Sequence, residues 1–449
     1  MKLEEIFNQK RTENGDIAFT KINDDNLLNL LFLTEYYQNH LSEVQIGNTE
    51  KDQLFARFVR DPRFGLGRRD LGRVLMHMAG CSIEDIVKSG RVDDLFVYDS
   101  KCRDYYIDAD ILDYLKREIE NGNELVKKWM PRYSSKNLMI ARQIAKYWGM
   151  NKQQYGHFIK CNTTENKLSR KNTSEIKFEQ VPSLAMIKYF NRFKTKEDTK
   201  DRFEKYLEDV RSGKKELKIA TTTVYDIYRN RDKIDPVLFF DRIEKIKINA
   251  IPIVDTSGSM CNSNDSIGKA YAIGHYIAKC STYAPNKVIT FSDHPTLLTL
   301  GEENIFADGW CGNRHEKQNL SHCKNQYERE IESMYTGDCS NTDFGRVMEL
   351  LKDLTDLPEY LVVLSDCEFD AGSRQSKSEL ERLWSEHGYT TKIVWWNLNE
   401  RNITIPEMDH NGNIYLSGYS PMLLKFLEVG FDGTAFLNKL LDEYKKAVG

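Results

Sequence analysis

A chain of 449 residues, 40% hydrophobic and 29% charged with only 10 Pro, has the length and composition of two or three folded domains with real cores. Its net charge of −4 divides unevenly: residues 1–250 carry 46 Lys+Arg against 39 Asp+Glu (+7), and residues 251–449 carry 18 against 29 (−11). No apolar run approaches the ~18–20 residues of a membrane span and no signal-type apolar segment opens the chain, so a cytoplasmic protein without a membrane partner is expected.

Residues 1–25 read as an N-terminal extension. From residue 26 to 246 the pattern is helical almost throughout, beginning with the apolar group Leu27, Leu28, Leu30, Leu31, Phe32 and Leu33. Further helices are expected over Gln53–Arg60, Arg69–Met78, Ser82–Lys88, Ala109–Ile119, Lys136–Trp148, Lys152–Ile159, Ser183–Phe193 and Lys200–Val210. Leu138, Ile140, Ala141, Ile144, Ala145 and Trp148 show the three- and four-residue spacing of a buried helix face. Ser82 with Asp85 three residues on marks a helix start, as do Ser135 and Asn151, and Gly149 marks a stop. Short helices on short turns suggest a solenoid-like repeat or an irregular bundle, although no fixed sequence period is present.

This half is the basic one, with 42 Lys+Arg against 30 Asp+Glu (+12) over residues 51–250. One cluster is Arg57, Arg60, Arg63, Arg68, Arg69 and Arg73, broken by Pro62, Gly65 and Gly67. The planar guanidinium fork suits phosphate oxygens, yet these arginines could equally cap carbonyls or pair with Asp61 and Asp70. A second cluster, Lys127, Lys128, Arg132, Lys136, Arg142 and Lys146, interleaves with Trp129, Tyr133, Tyr147 and Trp148. Aromatics beside cations can stack bases, but at helical spacing they are more often core. The polar, basic stretch Asn162–Lys177 reads as a solvated connector.

After Ile246 strands alternate with helices. Strands are expected over Ile248–Val254, Lys287–Phe291, Thr296–Leu300, Tyr360–Ser365, Lys392–Trp396 and Asn413–Leu416. Helices fall over Gly268–Cys280, Cys323–Met334, Asp343–Leu354, Ser376–His387, Pro421–Phe426 and Thr434–Tyr444. Apolar strands between amphipathic helices imply a doubly wound, mostly parallel α/β sheet. Such sheets bind ligands beyond the carboxyl ends of their strands. At that edge stands Asp255-Thr256-Ser257-Gly258-Ser259, where residues two apart share a side of extended backbone. It is either a polar turn capping the next helix or half of an oxygen-ligand site for a hard divalent ion such as Mg²⁺. Thr342, at a helix start, and Asp366, directly after an apolar strand, favour the metal.

The set Asp255, Ser257, Ser259, Thr342 and Asp366 resembles the metal-ion-dependent adhesion site of a von Willebrand factor A domain, over roughly residues 247–449. The resemblance implies that the serines bind the ion directly, that the threonine and the aspartates bind directly or through water, and that an open position takes a partner's carboxylate. A haloacid-dehalogenase-type phosphatase would need a second Asp where Ser257 stands, and neither a Ser-His-Asp arrangement nor a phosphate-cradling glycine loop is present, so no catalysis is expected. Cys311, His315, His322 and Cys323 offer zinc-type ligands without a recognised spacing. The 9 cysteines form no disulfide framework, which suits a reducing compartment.

The helical half, at Phe58-Val-Arg-Asp-Pro-Arg-Phe-Gly-Leu-Gly-Arg-Arg-Asp70, is similar to a turn of the TROVE-module proteins, the Ro ribonucleoprotein autoantigen family. Lys128-Trp-Met-Pro-Arg132, Ala145-Lys-Tyr-Trp-Gly149 and Val181-Pro-Ser183 have counterparts in an uncharacterised TROVE-like family. The resemblance implies a HEAT-like helical repeat domain over residues 26–246, followed by the A-type sheet domain over residues 247–449. It also implies a scaffold that binds structured or misfolded RNA. Arg57, Arg60, Arg63, Arg68, Arg69, Lys136 and Arg142 are the expected phosphate contacts. The alternative is a metal-dependent protein-assembly module that grips an acidic residue of a protein partner and binds no RNA.

Overall fold

The computed structural model describes residues 9–11, 17–19, 27, 30–31, 37, 41–61, 64–99, 104–106, 108–134, 138–161, 167–168, 173–219, 222–261, 265–291, 294–303, 305–307, 315–335, 344–352, 357–366, 390–398, 407–408, 413–417, 423, 426 and 433–448. Arg63, Lys136, Cys311, Thr342 and the helix expected over Ser376–His387 lie outside them. Among the described residues no helix is long and apolar enough to cross a membrane.

Two compact units divide the chain, and their limits differ from the expected boundary at 246/247. The helical unit takes Tyr37–Thr221 and Leu440–Gly449; the sheet unit takes Met1–Tyr36 and Thr222–Lys439.

In the helical unit the helices are α1 (Glu50–Arg60), α2 (Arg69–Met78), α3 (Ile83–Ser89), α4 (Ala109–Glu120), α5 (Glu124–Trp129), α6 (Leu138–Tyr147), α7 (Lys152–Phe158), α8 (Ser183–Thr195) and α9 (Lys200–Arg211). Neighbours in sequence pack on one another, α1 on α2, α4 on α5, α6 on α7 and α8 on α9. The starts are fixed by side-chain caps. Ser82 accepts from the Asp85 N–H, while Thr49 and Asn151 form reciprocal boxes with Asp52 and Gln154. Gly149 stops α6 from the left-handed region at φ 66°. Trp148 is buried, its indole N–H donating to Leu112 O at 3.2 Å, and its ring lies 5.9 Å from that of Tyr155. Of the interleaved aromatics, Trp148 therefore belongs to the core.

Helix α2 crosses α1 at a point where only glycine fits. A Cβ on Gly72 would stand 2.6 Å from both Cα and Cβ of Arg60. Alanine is normally the better helix residue by ~1 kcal/mol. Here the sign should reverse: Gly72→Ala is expected to destabilise the helical unit by about 1–3 kcal/mol through overpacking against backbone, read from urea unfolding followed by far-UV circular dichroism.

The sheet unit holds β1 (Ala250–Asp255), β2 (Lys287–Phe291), β3 (Thr296–Thr299), β4 (Tyr360–Ser365), β5 (Lys392–Asn397), β6 (Glu407–Met408) and β7 (Ile414–Ser417). Their order is β6-β7-β5-β4-β1-β2-β3. The five central strands run parallel, with an antiparallel strand at each edge. Its helices are α10 (Val224–Arg229), α11 (Pro236–Phe240), α12 (Ser266–Cys280), α13 (Gln326–Glu332), α14 (Phe344–Lys352) and the start of α15 (Gly433–Val448). Ile251, Ile253, Ile289, Phe291, Leu361, Val363, Ile393 and Trp395 line one sheet face and pack against Phe344, Val347, Met348 and Leu351 of α14. Helix α12 packs on β1, β2 and β4. Both faces are covered, so β1 and β4 are buried throughout, which explains their unbroken apolar sequences.

A buried polar group joins α12 to α13. His275 Nε2 lies 2.6 Å from Glu330 Oε2, while Lys279 Nζ and Gln326 Nε2 donate to Glu330 Oε1 at 2.9 and 3.0 Å. Burial opposes the charged carboxylate, but these donors outweigh it and hold Glu330 down at about 2. Burial drives the His275 imidazole the other way, below its ordinary value. A depressed carboxyl stabilises fully above its ordinary value near 4.5 and loses that contribution as pH falls toward about 2. Glu330→Gln should therefore cost about 1.5–3 kcal/mol at pH 7, the range for hydrogen bonds to a charged group. The gap from wild type should close in unfolding curves taken near pH 2.

Candidate metal centre

The sheet reverses its strand order at β1: the chain crosses to β2 on one side and later lays β4 on the other. The carboxyl ends of β1 and β4 are thus neighbours at a topological switch point, where open α/β sheets place their ligands. Asp255 is the last residue of β1, paired with Phe291 of β2. The backbone N–H and the hydroxyl of Thr256 both donate to Phe291 O, at 2.9 and 3.1 Å, and turn the chain out of the sheet. The loop that follows is a short 3-10 turn, Gly258–Met260.

Asp255 has no exposed surface. Its Oδ1 accepts the Ser257 N–H at 2.9 Å and its Oδ2 accepts the Ser365 hydroxyl at 2.6 Å. The hydroxyl oxygens of Ser257 and Ser259 stand 3.2 Å apart, so the two-residue spacing does bring them to one side. Asp366, one residue beyond β4, is also buried. Burial pushes the Asp255 carboxyl up to about 6; hydrogen bonds from Ser257 and Ser365 oppose the rise, and the nearby Asp366 charge adds to it.

This donor set fits a hard divalent cation. Two buried carboxylates repel each other and two hydroxyls converge beside them, all oxygen ligands of the kind Mg²⁺ takes while keeping some of its waters. Among the described residues no group of three or more His, Cys, Asp or Glu gathers, so an ion at this edge would rest on two carboxylates and hydroxyls rather than in an acidic cage. Thr342 cannot be placed, being outside the described residues. Ser365 stands outside the expected ligand set, although its place as the last strand residue before Asp366, level with Asp255, is an available signal. At the expected zinc ligands, His322 Nε2 lies 3.6 Å from Glu332 Oε2 and Cys323 is half-buried.

Of the expected RNA contacts, the structure withdraws Arg60 from the surface. Arg60 is 1% exposed and its Nη2 lies 2.6 Å from Asp94 Oδ2, so it faces the interior and cannot meet a polyanion. Arg57 is engaged by Asp85 at 3.0 Å and by the Ser89 hydroxyl at 3.1 Å, and Arg69 by Asp93 at 2.6 Å. Arg68 is half-buried, and its backbone N–H donates to Val59 O. Arg142 stays exposed on α6. Arg63 and Lys136 lie outside the described residues.

Residues 156–236 match the family model described as a domain of unknown function, DUF2828, and residues 249–443 match a second, DUF7788, likewise of unknown function. No curated protein matches the chain. Among solved structures, the crystal structure of the Deinococcus radiodurans RO (RSR) protein is similar at 11% identity, with 95% of this chain and 94% of that chain covered and a TM-score of 0.38.

Proposed function

We propose that this protein is a non-enzymatic, cytoplasmic binding module whose sheet unit grips a partner through a divalent cation, in the manner of an A-type adhesion site. Asp255, Ser257, Ser259 and Asp366, with Thr342, would hold Mg²⁺ or a similar ion. An ion held there would offer its charge to an acidic side chain of a protein partner. The observation that carries this reading is the convergence of two buried carboxylates and two hydroxyls at the switch point of the sheet. Titration calorimetry of the full chain with MgCl₂ tests it: one binding site is expected, absent in Asp255→Ala. A wild-type protein that takes up no Mg²⁺ sinks the proposal.

A second reading, RNA binding by the helical unit, is favoured by a different stretch from the arginine cluster. Residues 125–164 contain 8 Lys and Arg and no Asp or Glu. Arg142 and Lys146 on α6, Lys152 on α7 and Lys160 beyond it are exposed. Phosphate contacts release counterions, so RNA held here would dissociate steeply with added salt. Filter binding with the double variant Arg142→Glu, Lys146→Glu tests this; equal retention by wild type and variant at low salt argues against it.

A further inference from the structure

We propose that helix α10, and Tyr225 in particular, positions the metal loop from outside the sheet. The inference rests on the metal-site reading above and concerns residues that lie before the first strand.

The loop that carries Ser257 and Ser259 is pinned at its start by the two hydrogen bonds of Thr256 to Phe291. Its far end is Asp265, six residues on from Ser259 and at the N-terminus of α12. Asp265 adopts the left-handed conformation, φ 54° and ψ 46°, which costs an L-residue conformational energy and is best tolerated by Asn, Asp and Gly. Its side chain is held in turn. The carboxylate folds over the first turn of α12, where a Cβ on Gly268 would come within 2.5 Å of it. Its Oδ2 accepts the Tyr225 hydroxyl at 2.8 Å.

Tyr225 has support of its own. Helix α10 starts with Thr223 and Asp226 in a reciprocal capping box and packs along α12. The ammonium of Lys269, a residue 2% exposed one turn beyond Asp265, lies 6.0 Å from the Tyr225 ring centre. A second tie is made to Tyr335, which precedes Thr342 in the sequence. The Tyr228 and Tyr335 hydroxyls are 3.1 Å apart, with Arg231 Nη2 3.5 Å from Tyr335, after which the chain runs on to Thr342. Helix α10 therefore contacts Asp265 and Tyr335, which in sequence follow Ser259 and precede Thr342. The placement of this helix in the sheet unit, although it precedes the strands, has the same physical basis.

A ligand's apparent affinity falls with the fraction of protein whose site is assembled, so freeing the Asp265 end should weaken the ion without unfolding the sheet. The experiment is MgCl₂ calorimetry on the full chain, paired with melting of the metal-free protein. Tyr225→Phe keeps the ring and loses the hydroxyl; about fivefold weaker Mg²⁺ binding is expected, the equivalent of one net hydrogen bond. Its metal-free melting temperature should fall by about 2–4 °C, the shift that one net hydrogen bond carries in a unit of this size. Asp265→Asn keeps an acceptor oxygen and tolerates the left-handed backbone, so its affinity should stay within about twofold of wild type. Asp265→Gly keeps the backbone and loses the acceptor, so it should match Tyr225→Phe. Wild-type affinity in Tyr225→Phe overturns the inference, as does a metal-free melting temperature lowered by more than about 10 °C, which would mark a destabilised sheet rather than a loosened loop. A wild type that binds no Mg²⁺ removes the metal reading itself, an outcome distinct from either.

Discussion

Mg²⁺ at about a hundredfold above its dissociation constant should raise the melting temperature of the sheet unit by about 5–10 °C, and Asp255→Asn should abolish that rise. The size follows from mass action. An ion that binds only the folded state adds about 2.7 kcal/mol at that excess, and a unit of roughly 150–250 residues gains about 2–4 °C per kcal/mol. The asparagine variant is informative because it is isosteric. Its amide oxygen can still accept the Ser257 N–H, and the Ser365 hydroxyl, which is both donor and acceptor, can turn to receive the amide N–H. What disappears is the charge. In the metal-free protein that charge is unfavourable, since Asp255 has no exposed surface and stands beside the buried Asp366. Metal-free Asp255→Asn should therefore melt no lower than wild type, and Mg²⁺ should leave its melting temperature unchanged. A full Mg²⁺ increment in the variant would place the cation elsewhere.

How the fold could be read from the sequence depended on where the local signal was strong. Strands β2 and β4 fall on the expected residues, Lys287–Phe291 and Tyr360–Ser365, because a strand buried on both faces is written as a continuous apolar run. Helix α2 falls on Arg69–Met78 for the complementary reason, an apolar stripe that ends cleanly. Helices α5, α10 and α11 were missed; at five or six residues each they are too short to show a period, and only their caps, Asn123, Thr223 and Asp235, announced them. At the candidate metal centre, spacing and strand ends pick out Asp255, Ser257, Ser259 and Asp366, and the structure buries both carboxylates and brings the two serine hydroxyls within 3.2 Å of each other. The supports are not picked out in this way. Ser365 and Tyr225 reach Asp255 and Asp265 across 110 and 40 residues of chain, and nothing in local sequence marks such a partner. The arginines are a different case. Six in one basic stretch look like a surface, and only the placement of Asp94 shows that Arg60 faces the interior.

The costliest single substitution in the helical unit should be Arg60→Met, at about 3–5 kcal/mol, the usual loss when one half of a buried ion pair is removed. Arg60 and Asp94 are 1% and 0% exposed, with Nη2 and Oδ2 2.6 Å apart. Without the guanidinium, the Asp94 carboxylate would keep the Arg91 backbone N–H at 2.7 Å, while its Oδ1 already lacks a hydrogen-bond donor. Burial already raises the Asp94 carboxyl, and the Arg60 charge is the largest force opposing that rise. The double variant Arg60→Met, Asp94→Leu removes both charges and should recover most of the loss, because a buried ion pair contributes little beyond offsetting its own desolvation. Urea unfolding of the two single variants and the double variant measures the coupling directly. The same proteins separate the two readings of the arginine cluster. If Arg60 is structural, folded Arg60→Met should retain RNA as well as wild type in filter binding, and Arg142→Glu, on the exposed face of α6, should retain less. Equal loss of RNA in both variants, with Arg60→Met still folded, would mean that Arg60 reaches the phosphate despite its burial.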